Sequence, residues 1–92
     1  MRYEWDPAKD AENRRKNGLR LEQGIDALLD PNLLSWFDQR FDYGEDRILN
    51  LGRVSAEVRF VVVTEVSDQV TRIISVRKAE KHEEYWYYHG LP

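Results

Sequence analysis

At 92 residues the chain is long enough for one domain, taken as residues 1–92, and too short for two comfortable ones. A net charge of -3 argues against indiscriminate coating of nucleic acid, and 41% hydrophobic residues exclude the composition of a disordered chain. Without cysteine there are no disulfides, thiolate metal sites or cysteine nucleophiles, which fits a cytoplasmic address, and the longest apolar run, Phe60 to Val63, is far too short to span a bilayer.

A short strand over Arg2 to Trp5 comes first. Asp6-Pro7 then signals a helix start, with Asp6 accepting from free backbone N–H groups and Pro7 at the first helical position. That helix is predicted from Pro7 to Asn17, stopped by Gly18 in the left-handed conformation. Its apolar content is only Ala8 and Ala11, so small contacts should hold it, while Lys9, Asn13 and Lys16 recur at helical spacing as a polar stripe.

A second helix is predicted from Leu21 to Leu29, with Leu21, Gly24, Ile25 and Leu28 on one face and Asp30-Pro31 ending it. The period then changes to alternation. Leu33 to Phe37 reads as a strand, Phe41 to Glu45 as a turn, and Arg47 to Arg53, Val58 to Val66 and Val70 to Lys78 as three further strands. The tight connections Ser55-Ala56 and Ser67-Asp68 force antiparallel neighbours, because a parallel crossover needs about a dozen residues. Strict alternation in the last strand puts Thr71, Ile73, Ser75 and Arg77 on one side and Val70, Arg72, Ile74, Val76 and Lys78 on the other, so both faces should be covered. A final helix from Ala79 to His89 groups Ala79, His82, Trp86 and His89 on one arc, with Tyr85 at its edge and Gly90 as the stop. The fold class is α+β: a small antiparallel sheet with two N-terminal helices and one C-terminal helix.

Charge is segregated along the chain. Residues 9–20 and 69–82 each carry +3, whereas residues 22–46 carry -6. Two basic segments could converge on an anionic ligand while the acidic one meets a basic partner, although a charge run is most often a solvated face. Arg77-Lys78 stand out, because they end a strand just before a helix N-terminus. Gly44-Glu45-Asp46-Arg47 places Glu45 and Arg47 on the same side of a strand's start, either as a surface ion pair or as a proton acceptor beside a cation.

Common signatures are absent: there is no GxxxxGK(S/T), GxGxxG, HExxH or GxSxG. His82 and His89 lack a convincing carboxylate partner for zinc, so packing or surface roles are favoured and no metal or cofactor is expected. Tyr85-Trp86-Tyr87-Tyr88 could stack on bases, or could simply close the core with hydroxyls wet.

Taken in order, Trp5-Asp6-Pro7 with Lys9, Asn13 and Lys16-Asn17-Gly18, then Asp30-Pro31, Gly44-Glu45-x-Arg47, Gly52, Val61 to Thr64, and Arg72 to Ala79 with Glu84-Tyr85, resemble the BrnT family over nearly the whole chain. The resemblance implies a RelE-like fold and a metal-independent endoribonuclease toxin of a type II toxin–antitoxin module that inhibits translation. It also implies neutralisation by a BrnA-like ribbon-helix-helix antitoxin, with two toxins around an antitoxin dimer and operator DNA reached only through the antitoxin. Where that family commonly has Lys-His-Gly, this chain has Lys16-Asn17-Gly18, and asparagine cannot exchange a proton near neutral pH.

Cleaving RNA without a metal requires a base near the 2′-hydroxyl, an acid near the leaving 5′-oxygen and cations for the extra phosphorane charge. Glu45 is the expected base. Arg47, Arg77 and Lys78 are expected to clamp phosphate and stabilise charge, with Tyr85 as a supporting donor; Lys16, Arg72 and Ser75 are expected to contact RNA, Lys16 also serving as a possible acid. Two other readings remain: a non-enzymatic corepressor whose catalysis has decayed at Asn17, and a generic RNA-binding module built on the tyrosines.

Overall fold

A computed structural model describes residues 1–39 and 44–92. The elements follow the order β1 (Arg2–Glu4), α1 (Pro7–Asn17), a 3-10 turn (Leu21–Gln23), α2 (Gly24–Leu28), β2 (Leu34–Phe37), β3 (Ile48–Val54), β4 (Glu57–Ser67), β5 (Val70–Lys78) and α3 (Lys81–His89). Five strands form one sheet in the order β1-β5-β4-β3-β2. Strands β3 to β5 are the antiparallel meander that their short connections require, and β2 pairs antiparallel with β3 across a longer connection. Strand β1 joins the far edge parallel to β5, pairing Glu4 with Arg72. Most of the turn expected over Phe41 to Glu45 lies outside the described residues.

Both faces of the sheet are covered. Val61, Val63, Ile73 and Val76 pack under Leu21 and Ala27 on one side. Leu49, Leu51, Val58 and Phe60 meet Ala79, Trp86 and Tyr87 on the other, where Trp36 lies edge-on to Phe60 at 6.2 Å and to Trp86 at 6.3 Å. Strict alternation in β5 does not hold. The register with β4 slips between Val62 and Val63, leaving Ile74 without a facing residue. Ile73 and Val76, three apart, therefore share one core, and Arg77 turns to the opposite face from Ile73.

Asp6 caps α1 by accepting from Ala8 N at 2.8 Å, and Gly18 closes it at φ 72°. The helix does not rest on its alanines, which are exposed; its one buried residue is Asn13. Strand β1 pairs with β5 only as far as Arg72. Beyond that point the Asn13 carboxamide acts as a substitute strand: Nδ2 donates to Val76 O at 2.9 Å and Oδ1 accepts from Val76 N at 3.1 Å. The residue read as part of a polar stripe is therefore the bolt that holds α1 against the sheet.

The second helix is shorter than expected, a 3-10 turn followed by a single α-helical stretch. Its Ala27 is fully buried, and its backbone crosses β3 so closely that a Cβ on Gly52 would stand 2.1 Å from the Ala27 carbonyl oxygen. The inward face of α3 also differs from the expected arc. Glu83, Trp86 and Tyr87 turn inward, while His82 and His89 are exposed. Arg77 draws Glu83 in, with two guanidinium bonds of 2.7 and 2.8 Å.

Candidate active site

Strand β5 carries the basic residues Arg72, Arg77 and Lys78, and its slip at Ile74 distributes them. Arg72, at the start of β5, lies in a cavity of about 430 Å³ with Glu4, Asp6, Lys9, Glu45 and Arg47. Trp5 and Ile73 form part of its apolar wall. The segment from Gly44 to Arg47 reaches this cavity as β3 begins, and the side-by-side placement expected of Glu45 and Arg47 is present, with Arg47 Nε 3.8 Å from Glu45 Oε1. Arg72 Nη2 stands 3.4 Å from Glu4 Oε1. Among the described residues, three carboxylates and three cations thus share one concave site, with charge held locally on a chain that is acidic overall.

A smaller depression of about 170 Å³ continues along α1 and β5, lined by Lys9, Lys16, Asn17, Ile74 and Ser75 among others. Lys9 and Ile74 belong to both hollows. The groove therefore runs from Glu45, Arg47 and Arg72 past Lys9 to Lys16 and Ser75, bringing together five of the eight residues expected to act on RNA. Asn13 and Asn17 set its floor. Asn17 Nδ2 donates to Asn13 Oδ1 at 3.1 Å and to Val76 O at 3.3 Å, so position 17 helps secure α1 to β5.

The other three expected residues stand elsewhere. The Arg77 guanidinium forks onto both oxygens of Glu83 and lies 4.2 Å above the Phe60 ring centroid. Burial pushes the Glu83 carboxyl up, but the Arg77 bonds and the Glu80 N–H outweigh it, so its pKa falls below the ordinary 4.5. Lys78 lines a hollow with Arg59 and Glu84 beside the β3–β4 turn. Tyr85 is 62% exposed and stacks on His89 at 4.3 Å.

Sequence reasoning did not assign Glu4 to the site. Its signal appears only once β1 is known to pair in parallel with β5, because that register sets Glu4 opposite Arg72. Lys9 was visible in the helical stripe and in the family resemblance, but was given no role at the site. Among the described residues, Glu80, His82 and Glu83 have ligand atoms within 4.8 Å of one another, but Glu83 already accepts from Arg77 and from Glu80 N. A second polar hub joins α3 to β3. Asp30 Oδ2 accepts from the Tyr87 hydroxyl and, at 2.7 Å, from Arg53 N. Burial and the Asp30 bond raise Tyr87 to about 12. No helix among the described residues is long and apolar enough to cross a membrane.

Comparison with known proteins bears on this geometry. The family model for the ribonuclease toxin BrnT of type II toxin–antitoxin systems matches residues 5–83. The 1.1 Å crystal structure of the Brucella abortus ribonuclease toxin BrnT superposes with a TM-score of 0.70 and 21% identity, over 88% of this chain and 99% of that one. At that identity the likeness establishes the fold. Among curated proteins, none matches this chain.

Proposed function

Because this chain belongs to the BrnT family, the ribonuclease toxins of type II toxin–antitoxin systems, we propose that it is a metal-independent endoribonuclease that inhibits translation by cutting RNA in the groove between α1, β5 and the start of β3. The observation that carries this reading is the mixed-charge cavity itself: a carboxylate, Glu45, beside Arg47 and Arg72, continuous with Lys9, Lys16 and Ser75.

Glu45 accepts the 2′-hydroxyl proton as that oxygen attacks phosphorus in line. Arg47 and Arg72 balance the charge that accumulates on the non-bridging oxygens, which a planar guanidinium suits better than an ammonium. The P–O5′ bond breaks, Lys16 returns a proton to the leaving oxygen, and the products are a 2′,3′-cyclic phosphate and a 5′-hydroxyl. Lys9 and Ser75 hold neighbouring backbone phosphates. Asn17 has no proton to exchange, so acid–base work falls to Glu45 and Lys16. Arg77 positions α3 through Glu83, and Lys78 and Tyr85 contact RNA only beyond the groove.

The partner in this reading is a BrnA-like ribbon-helix-helix antitoxin, two toxins flanking its dimer, with operator DNA contacted by the antitoxin and the whole module cytoplasmic. Expressing the chain alone, in cells without an antitoxin, tests the proposal. Growth and protein synthesis should stop with wild type and continue with Glu45→Gln. Undisturbed growth with wild type would leave the corepressor reading in its place.

A further inference from the structure

Beside the catalytic cavity, at the same end of the sheet, lies a second hollow of about 510 Å³. Its apolar surface comes from Phe37 at the end of β2, Ile48 at the start of β3 and Val66 near the end of β4. Phe37 is 61% and Val66 49% exposed, a high exposure for two large apolar groups in one depression. Its rim is acidic. Among the described residues, Glu45, Asp46 and Glu65 line it against one cation, Arg72, which is itself paired with Glu4. The acidic stretch recognised in the sequence thus ends in a hollow whose Asp46 and Glu65 take no part in the cleavage chemistry. A polyanion is repelled by such a rim, so the hollow does not suit the RNA strand.

We infer that this hollow is the docking surface for the antitoxin, and that the segment it receives is a cationic amphipathic one, its apolar side chains seated on Phe37 and Val66 and its Lys or Arg groups facing Glu45, Asp46 and Glu65. The inference rests on the toxin reading of the chain. Charge complementarity favours a basic partner and would speed its capture, while the exposed aromatic supplies an anchor. Continuity with the catalytic cavity gives the contact its consequence. Glu45 and Arg72 line both hollows, so a segment seated here covers the base and one phosphate-binding arginine. Docking and neutralisation are then the same event.

The probe is the small protein encoded directly beside this chain's gene, purified and titrated against wild type, Asp46→Lys/Glu65→Lys and Phe37→Ser/Val66→Ser at two salt concentrations. Glu45 is left intact because it belongs to the catalytic set, and the Asp46 carbonyl that accepts from Thr64 Oγ1 survives the side-chain change. Charge reversal should weaken binding by about 100-fold or more at low salt and flatten its salt dependence, and the apolar double variant should weaken it at both salt concentrations. Both variants should cleave RNA at close to the wild-type rate while escaping inhibition by the probe, which also shows that they are folded. Affinities within about threefold of wild type in both variants, or no binding of the probe by wild type, overturn the docking surface. Tighter probe binding by the charge-reversed variant, or a loss of RNA affinity on charge reversal, overturns it as well. If wild type fails to cleave RNA but loses the probe on charge reversal, the ribonuclease reading falls and the docking surface stands.

Discussion

Replacing Asn13 with alanine should destabilise the protein more than alanine at any other position on α1. The carboxamide makes four hydrogen bonds: Nδ2 donates to Leu19 O at 2.7 Å and Val76 O at 2.9 Å, and Oδ1 accepts from Val76 N at 3.1 Å and Asn17 Nδ2 at 3.1 Å. Asn13 is only 5% exposed, so water cannot replace them without opening the helix–sheet contact. Truncation leaves the Val76 N–H and the Leu19 carbonyl without these partners, while Val76 O keeps Asn17 at 3.3 Å. At about 1–3 kcal/mol for each buried group stranded, the loss comes to about 3–4 kcal/mol. That is a large part of the roughly 5–14 kcal/mol expected for a chain of this size, and corresponds to a melting temperature about 12–32 °C lower. Asn13→Asp should be worse at pH 7, because a carboxylate cannot donate and would face two carbonyl oxygens. Lys16→Ala, three residues on and exposed, should stay within about 0.5 kcal/mol. Urea unfolding followed by circular dichroism measures all three. Asn13→Ala within about 1 kcal/mol of wild type, or Asn13→Asp no worse than Asn13→Ala, would refute the account of how α1 is held.

Gly52→Ala should fold poorly or shift α2, because its Cβ would collide with the Ala27 carbonyl; expression yield and melting temperature report it, and an unchanged melt would contradict the close crossing. Glu83→Gln should cost about 1–3 kcal/mol at pH 7 by unbalancing the fork to Arg77. The folded Glu83 carboxyl titrates below its ordinary 4.5, so its contribution is present above about pH 4.5 and is lost as pH falls through the folded value. Unfolding curves of wild type and Glu83→Gln should therefore converge under acid, and a constant gap would count against the ion pair. Tyr87 has the opposite sign: raised from 10.0 to about 12, its contribution holds below pH 10 and declines as pH rises toward 12. Spectrophotometric titration should show the late ionisation of Tyr87, lost in Tyr87→Phe.

The start and stop of α1 were legible because Asp6-Pro7 and Gly18 act locally through capping geometry. The β3 to β5 meander was legible for a similar reason, since short turns leave no other way to pair. What was not legible depended on distant partners. Asn13 looks like any polar helical residue until β1 ends at Glu4 and leaves the Val76 backbone to be satisfied. The slip at Ile74 has no composition signal, yet it puts Arg77 on the opposite face from Ile73. Arg77 and Lys78 drew notice as adjacent cations, but the pairing of Arg77 depends on Glu83, one turn into the next helix. Lys16, Arg72 and Ser75 come together because α1 packs on β5, and Glu45 and Arg47 join them from the approach to β3, distant in sequence from both.

The most direct test of the central claim is cleavage of end-labelled RNA in buffer containing EDTA, comparing wild type, Arg47→Ala/Arg72→Ala and Arg77→Ala at equal concentrations of folded protein. Wild type should yield 2′,3′-cyclic phosphate and 5′-hydroxyl ends. The Arg47/Arg72 double variant should be slower by about 100-fold or more, while Arg77→Ala cuts at close to the wild-type rate. Failure of wild type to cut, or loss of cutting in Arg77→Ala with the double variant still active, would contradict the groove as the catalytic centre.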